Sequence, residues 1–210
     1  MLRVLIVDDH PVVRRGLREI LADEGDIEVS ETADPHEALK LIREQPLSLA
    51  VLDIDLPGRG GLELLKDVRR ERPRLPVLML SVYPEEQFAL RTLRVGASGY
   101  LSKDSAPDDL VKAVRKILRG GKYFGERVVE QLLSDPDGRG TGAPPHELLT
   151  DREFQVLCLF GGGETVKGIA RKLSLSPPTV STYRARILEK MQMRTTAELV
   201  RYAVQNRLTN

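Results

Sequence analysis

In the first 120 residues of this 210-residue chain, short unbroken apolar runs alternate five times with stretches whose apolar positions recur every three or four residues. A strand buried on both faces reads as such a run, and an amphipathic helix as such a recurrence. The runs predict strands at about 2–7, 27–31, 48–53, 76–81 and 98–101. The recurrences predict helices at about 11–23, 35–44, 61–71, 85–95 and 107–119. Pro35, Pro107 and the Pro84-Glu85 step mark helix starts, because proline in a first turn gives up no needed hydrogen bond. Gly96 and Gly120 follow helices as C-terminal stops do. Five βα units at this spacing predict a parallel sheet with helices on both faces.

Beyond Gly120 the pattern changes. Residues 126–133 read as one more short helix, and Ser134 to Pro145 holds only polar, glycine, proline and alanine residues. No core can form from that composition, so it predicts a flexible linker. The remainder is helical in pattern at about 151–161, 165–173, 177–191 and 195–206, with no strand between. The expected division is therefore a domain at 1–120, a short helix and linker at 121–146, and a small helical domain at 147–210.

Ser176 is a good N-cap and Pro177 a good first helical residue, so a new helix starts just after a tight turn at Leu173-Ser174-Leu175. A helix–turn–helix at about 165–184 suits insertion of its second helix into the major groove of DNA. At 100° per residue, Val180, Tyr183, Ile187 and Met191 share an inward face. Ser181, Thr182, Ala185 and Glu189 lie opposite, flanked by Arg186 and Lys190. The outward groups are small, so Arg186 is expected to make the strongest polar contact and Lys190 to hold phosphate. Arg184, close to the apolar side, is expected to snorkel outward.

The first domain carries the most specific chemistry. Val4-Leu5-Ile6-Val7 runs into Asp8-Asp9, Leu49-Ala50-Val51-Leu52 into Asp53, and Gly99-Tyr100-Leu101-Ser102 into Lys103. Ligands of parallel sheets gather beyond the carboxyl ends of the strands. Three carboxylates and a lysine there describe one acidic pocket with a cation beside it. Clustered carboxylates repel one another and favour a bound cation, and magnesium prefers such hard oxygen ligands. Asp8, Asp9 and Asp53, with the backbone carbonyl of Asp55, are the expected Mg²⁺ ligands. One carboxylate can act as nucleophile and form an aspartyl phosphate. The metal and Lys103 would stabilise charge on the phosphoryl oxygens, and Ser81, ending the fourth strand, could donate its hydroxyl to them.

Charge separates the halves. From Glu147 onward ten Lys and Arg face six Asp and Glu, whereas the first 146 residues hold 22 basic and 25 acidic ones, within a net charge of +1. An acidic front and a basic back imply different partners for each. The single cysteine, Cys158, excludes a disulfide framework and a zinc–cysteine cluster, and its place between Leu157 and Leu159 predicts a buried core thiol. No apolar stretch approaches the length that crosses a bilayer, and the N-terminus runs straight into a strand, so a cytoplasmic protein without membrane contact is expected.

Residues 1–120 resemble the receiver domain of two-component response regulators. Asp8-Asp9, Asp53, Ser81 and Lys103 fall where that pattern has them, and Asp53-Ile-Asp-Leu-Pro57, Gly60-Gly61 and Gly99-Tyr-Leu-Ser-Lys103 match its typical segments. The resemblance implies a flavodoxin-like, doubly wound α/β sheet of order 2-1-3-4-5. It further implies phosphorylation of Asp53 by a partner sensor histidine kinase, magnesium at Asp8, Asp9, Asp53 and Asp55, and switch roles for Ser81 and Tyr100. Residues 148–208 resemble the LuxR-type helix-turn-helix through Leu149-Thr-Asp-Arg-Glu153, Gly168-Ile-Ala170, Thr179-Val180 and Ile187-Leu-Glu-Lys-Met191. Together the two halves look like the NarL/FixJ class of response regulators, of which His10-Pro11 is also typical. That implies double-stranded DNA as a partner and a homodimer when phosphorylated. It places groove-facing side chains at Ser181, Thr182 and Ala185, with Thr179 at the start of the same helix also assigned to DNA. Tyr183, Thr165-Val166 and Gly168 depart from the commoner residues, which leaves the target sequence open.

Two other functions compete. A magnesium-dependent phosphohydrolase is suggested by the Asp53-Ile-Asp55 pair. In haloacid-dehalogenase-like phosphatases, however, that pair follows the first strand and an acidic pair comes late, the reverse of the order here. A module that binds DNA or protein without phosphorylation would not need the complete pocket. A non-enzymatic, phosphorylation-controlled transcription factor is the expected function.

Overall fold

The computed structural model describes residues 1–58, 60–134 and 144–209, which fall into two compact units, Met1–Leu133 and Ser134–Asn210. Residues 135–143 of the expected linker lie outside the described residues. The first unit therefore runs past Gly120 and takes in the segment 121–133.

Five parallel strands, β1 (Leu2–Val7), β2 (Ile27–Thr32), β3 (Leu49–Asp53), β4 (Val77–Ser81) and β5 (Gly99–Ser102), stand in the order β2-β1-β3-β4-β5. Between and after them run α1 (Pro11–Ala22), α2 (Pro35–Glu44), α3 (Gly61–Glu71), α4 (Glu85–Val95) and α5 (Ala106–Leu118). β3 and β4 are buried along their whole length because helices cover both faces, whereas the edge strand β2 is buried only at its two ends, Ile27 and Thr32. Successive strand residues point to opposite faces. Val4, Ile6, Val51, Leu78 and Leu80 pack with Leu17 and Leu21 of α1 and with Leu110, Val114 and Ile117 of α5. β1 and β3 are neighbours with Val7 opposite Leu52, so the next residues, Asp8 and Asp53, emerge side by side at the switch point of the sheet.

Helix α6 (Glu126–Ser134) follows a short segment that adds to the sheet. Gly99 of β5 forms a parallel bridge with Tyr123, a pairing that no periodicity announces.

In the second unit a 3₁₀ turn (Pro145–Leu148) precedes α7 (Asp151–Gly161), α8 (Val166–Lys172), α9 (Pro177–Lys190) and α10 (Thr196–Gln205). The turn occupies the end of the segment read from sequence as linker. His146 there bonds the Tyr202 hydroxyl at 2.8 Å and stacks near Phe154, which ties the turn to the helices. Thr150 and Glu153 form a capping box at the start of α7, and Ser176 caps α9 through the Thr179 amide with Pro177 in its first turn. Ser174, between α8 and α9, takes a positive φ of 52°, the geometry that makes the predicted tight turn. Phe154, Leu157, Ile169, Val180, Ile187, Leu199 and Ala203 form the buried interior, and Cys158 is buried as expected.

Candidate functional site

The acidic pocket opens where β1, β3 and β5 end. Asp8 and Asp53 are fully buried. The Lys103 ammonium donates to Asp53 Oδ2 at 2.7 Å and lies 2.8 Å from Asp8 Oδ2. Asp53 Oδ1 accepts the Asp55 amide at 3.1 Å, so the turn after β3 holds the carboxylate from its own chain. Asp8 Oδ1 accepts the His10 amide at 2.8 Å, and Arg14 holds the Asp8 carbonyl. Ser81 is buried at the end of β4, and its carbonyl accepts the Lys103 amide, which fixes the loop carrying the lysine.

The backbone beneath Asp53 needs glycine. Gly60 adopts φ 77° and ψ 158°, a region open in practice only to glycine. A Cβ on Gly61 would sit 1.8 Å from the Asp53 carbonyl oxygen. The start of α3 therefore presses directly on the residue that ends β3.

Electrostatics sharpen the arrangement. Burial, and then the Asp8 charge, push the Asp53 carboxyl up to about 7 against the pull of Lys103. Burial alone would pull the Lys103 ammonium down, but Asp53 and Asp8 outweigh it and raise it. Asp8 Oδ2 and Asp9 Oδ1 are buried without a hydrogen-bond donor of good geometry, although Lys103 and His10 lie at ion-pair distance from them. Ligand-capable atoms of Asp8, Asp9, His10 and Asp53 all lie within 4.8 Å of one another. Hard oxygens short of donors suit a divalent cation, so the residues fit magnesium. His10 joins this cluster, although the sequence alone marks it only through the His10-Pro11 pair.

Tyr100 is buried on β5, and its hydroxyl donates to the Tyr83 carbonyl at 2.8 Å. Burial pushes its phenol above the ordinary range. The Tyr83 amide in turn donates to Ser81 Oγ at 3.0 Å. Ser81 and Tyr100 are thus joined through the loop that leads into α4, a connection that sequence spacing does not reveal.

On α9 the faces separate as expected. Val180, Ile187 and Met191 are buried and Tyr183 half-buried, whereas Thr182, Ala185, Arg186 and Glu189 are exposed and Ser181 half-exposed. Thr179 Oγ1 bonds the Ser176 hydroxyl, and the Thr182 hydroxyl donates to the Pro178 carbonyl. Lys190 does not stand free on the outer face. Its ammonium donates to Glu153 Oε2 at 2.6 Å, and Glu153 is only 2% exposed. A buried carboxylate without a counter-charge is costly, and Lys190 supplies that charge.

Residues 4–115 match the family model for the response regulator receiver domain, and residues 147–203 match that for bacterial regulatory proteins of the luxR family. The chain is a response regulator. It is 37% identical over 207 residues to the response regulator GacA of Pseudomonas viridiflava, covering 98% of this chain and 97% of that protein. UvrY of Escherichia coli K12 is 34% identical over 212 residues, at 100% and 97% coverage. Among solved structures, RcsB from Salmonella enterica serovar Typhimurium, bound to promoter rprA with phosphomimetic BeF3−, superimposes with a TM-score of 0.62. It is 26% identical and covers 97% of this chain and 99% of that one. The response regulator is thus a DNA-binding transcription factor controlled by phosphorylation and not an enzyme, with a receiver followed by a LuxR-type helix-turn-helix. None of its described helices is long and apolar enough to cross a membrane.

Proposed function

We propose that Asp53 is the phosphoacceptor of this response regulator, receiving its phosphoryl group from the phosphohistidine of a partner sensor kinase. The observation that carries this reading is the bridge made by Lys103 between two buried carboxylates, Asp53 and Asp8. An Asp53 oxygen attacks phosphorus as the bond to the imidazole nitrogen breaks, and Asp53 must be ionised to do so. Lys103 favours the ionised form beforehand and then faces a phosphoryl oxygen. Asp8, Asp9 and Asp53, with the Asp55 carbonyl, would hold Mg²⁺, which when bound would neutralise charge on the phosphoryl oxygens. Ser81 would donate its hydroxyl to the same group.

The output is double-stranded DNA, bound by a phosphorylated homodimer. In this reading α9 enters the major groove with Thr179, Ser181, Thr182, Ala185 and Arg186 toward the bases, while Lys190 acts through Glu153 to seat the helix. The receiver at 1–120 is joined to the DNA-binding domain at 147–210 through 121–146. Two-fold sites on DNA are matched by protein dimers, which supports the homodimer. A cytoplasmic location follows from the same reading.

Incubation with acetyl phosphate and Mg²⁺ tests the assignment. The intact chain is expected to gain one hydroxylamine-sensitive phosphoryl group on Asp53, and Asp53→Asn to gain none at that site. Labelling that survives the substitution, or proceeds equally in EDTA, would falsify it.

A further inference from the structure

Residues 121–125 cross the open edge of the sheet and touch both ends of α4. The Lys122 ammonium donates to the Ala97 carbonyl, just past the end of α4, at 2.8 Å. The Tyr123 amide donates to the Ser98 carbonyl at 3.0 Å, and the Tyr100 amide donates to the Tyr123 carbonyl at 2.8 Å. The Gly125 amide donates to the carboxylate of Glu85, the first residue of α4. The Gly125 carbonyl then accepts the Val128 amide in the first turn of α6.

This seating depends on two missing side chains. A Cβ on Gly99 would meet Tyr123 at 3.0 Å, and a Cβ on Gly125 would meet the Glu85 carboxylate at 2.6 Å. A groove of about 440 Å³, bordered by Tyr100, Asp109, Lys112 and Tyr123, runs beside the segment.

We infer that residues 121–125 are a strap through which the phosphorylation pocket controls α6, with Glu85 and Tyr123 as the residues that read the pocket. The inference rests on the phosphoacceptor reading of Asp53. Its route is continuous: Ser81 Oγ accepts the Tyr83 amide, the Tyr83 carbonyl accepts the Tyr100 hydroxyl, and the Tyr100 amide holds Tyr123. Glu85 follows Tyr83 by two residues, so the Gly125 anchor depends on that short loop, while Tyr123 is held by the backbone of Ser98 and Tyr100. When Ser81 turns to a phosphoryl group on Asp53, the Tyr83 amide loses its acceptor and the loop before α4 loosens. Glu85 then releases Gly125, and α6 loses the bond that fixes its start. The pocket can bias α6 only as far as the two states of this strap differ in free energy.

Hydrogen exchange on the intact chain, read amide by amide with and without acetyl phosphate and Mg²⁺, tests this, with Asp53 phosphorylation checked by mass in the same sample. Phosphorylation is expected to lower protection of the Gly125, Val128 and Val129 amides by about tenfold, the effect of losing one charged hydrogen bond. Glu85→Ala and Gly125→Ala should show that low protection from the start and no further change, while still accepting phosphate. Glu85→Gln keeps an acceptor oxygen and should behave as the parent protein. Unchanged or increased protection in a sample phosphorylated on Asp53 overturns the strap, as does an Ala variant that still responds. A sample in which Asp53 is never labelled overturns the phosphoacceptor reading instead, and the strap with it.

Discussion

Asp53 carries opposed demands at the scale of a single residue. Its carboxyl must ionise to take a phosphoryl group, yet burial and Asp8 hold it near 7, far above the ordinary value of 3.8. The folded state therefore binds a proton that the unfolded state has already lost between those pH values. Stability from this group is fully present below about pH 4 and is lost as pH rises through 7. In EDTA, Asp53→Asn is expected to melt clearly above the parent at pH 8 and level with it near pH 4. Equal melting temperatures across that range would show that Asp53 carries no such burden. Mg²⁺ should recover most of the difference for the parent alone.

Glu153 shows the reverse sign. Burial would raise it, but Lys190 and the Thr150 amide outweigh burial and hold it below the ordinary carboxylate range. Its contribution is present above the ordinary range and is lost as pH falls below that range through the lowered folded value. Lys190→Ala leaves the carboxylate without its cation, so the helical unit should lose about 1–3 kcal/mol in denaturant unfolding at pH 7. Arg186 is exposed and free of that duty. Arg186→Ala should leave stability unchanged and cost about 1–3 kcal/mol on the preferred duplex, with little change on random DNA. If Lys190→Ala instead leaves stability intact and weakens all duplexes alike, the Glu153 pairing is not its main role.

At the scale of elements, the site is built by ends meeting ends. α3 starts so close to the end of β3 that only Gly61 fits beneath the Asp53 carbonyl. Gly61→Ala must displace backbone rather than a flexible side chain, and should cost about 2 kcal/mol or more while slowing phosphorylation of Asp53. A variant of parental stability and parental phosphorylation rate would mean that the turn relaxes freely. In the second unit, Thr150, Thr165, Ser176 and Thr195 each cap a helix through a backbone amide three residues on. Such local caps are why helix boundaries there could be read within a residue or two.

For the whole molecule, the expected consequence is a change in association. A single helix-turn-helix reads few base pairs, so DNA binding gains from a dimer that matches a two-fold site. Phosphorylation of the intact chain should raise both its dimer fraction, by analytical ultracentrifugation, and its affinity for a selected duplex. Identical values for the phosphorylated and unphosphorylated protein would remove the proposed coupling between the two units.

The strands, the helices and the helix-turn-helix were legible in the chain because each depends on neighbours in sequence, and the acidic pocket because a parallel sheet gathers the ends of its strands. Unbroken apolar runs mark strands that helices cover on both faces, and Asp8, Asp53 and Lys103 are conspicuous because they end such runs. Partners far apart in sequence leave no such trace. Tyr123 lies in a segment without period and reaches β5 only because Gly99 leaves room for it. Lys190 meets Glu153 across 37 residues, and His146 meets Tyr202 across 56. His10 faces the carboxylates through the turn that follows β1. Local pattern thus determined which elements form and where their chemical residues stand. Tertiary packing alone decided which of those residues are paired, because burial of one polar group dictates the place of its partner wherever the chain can supply it.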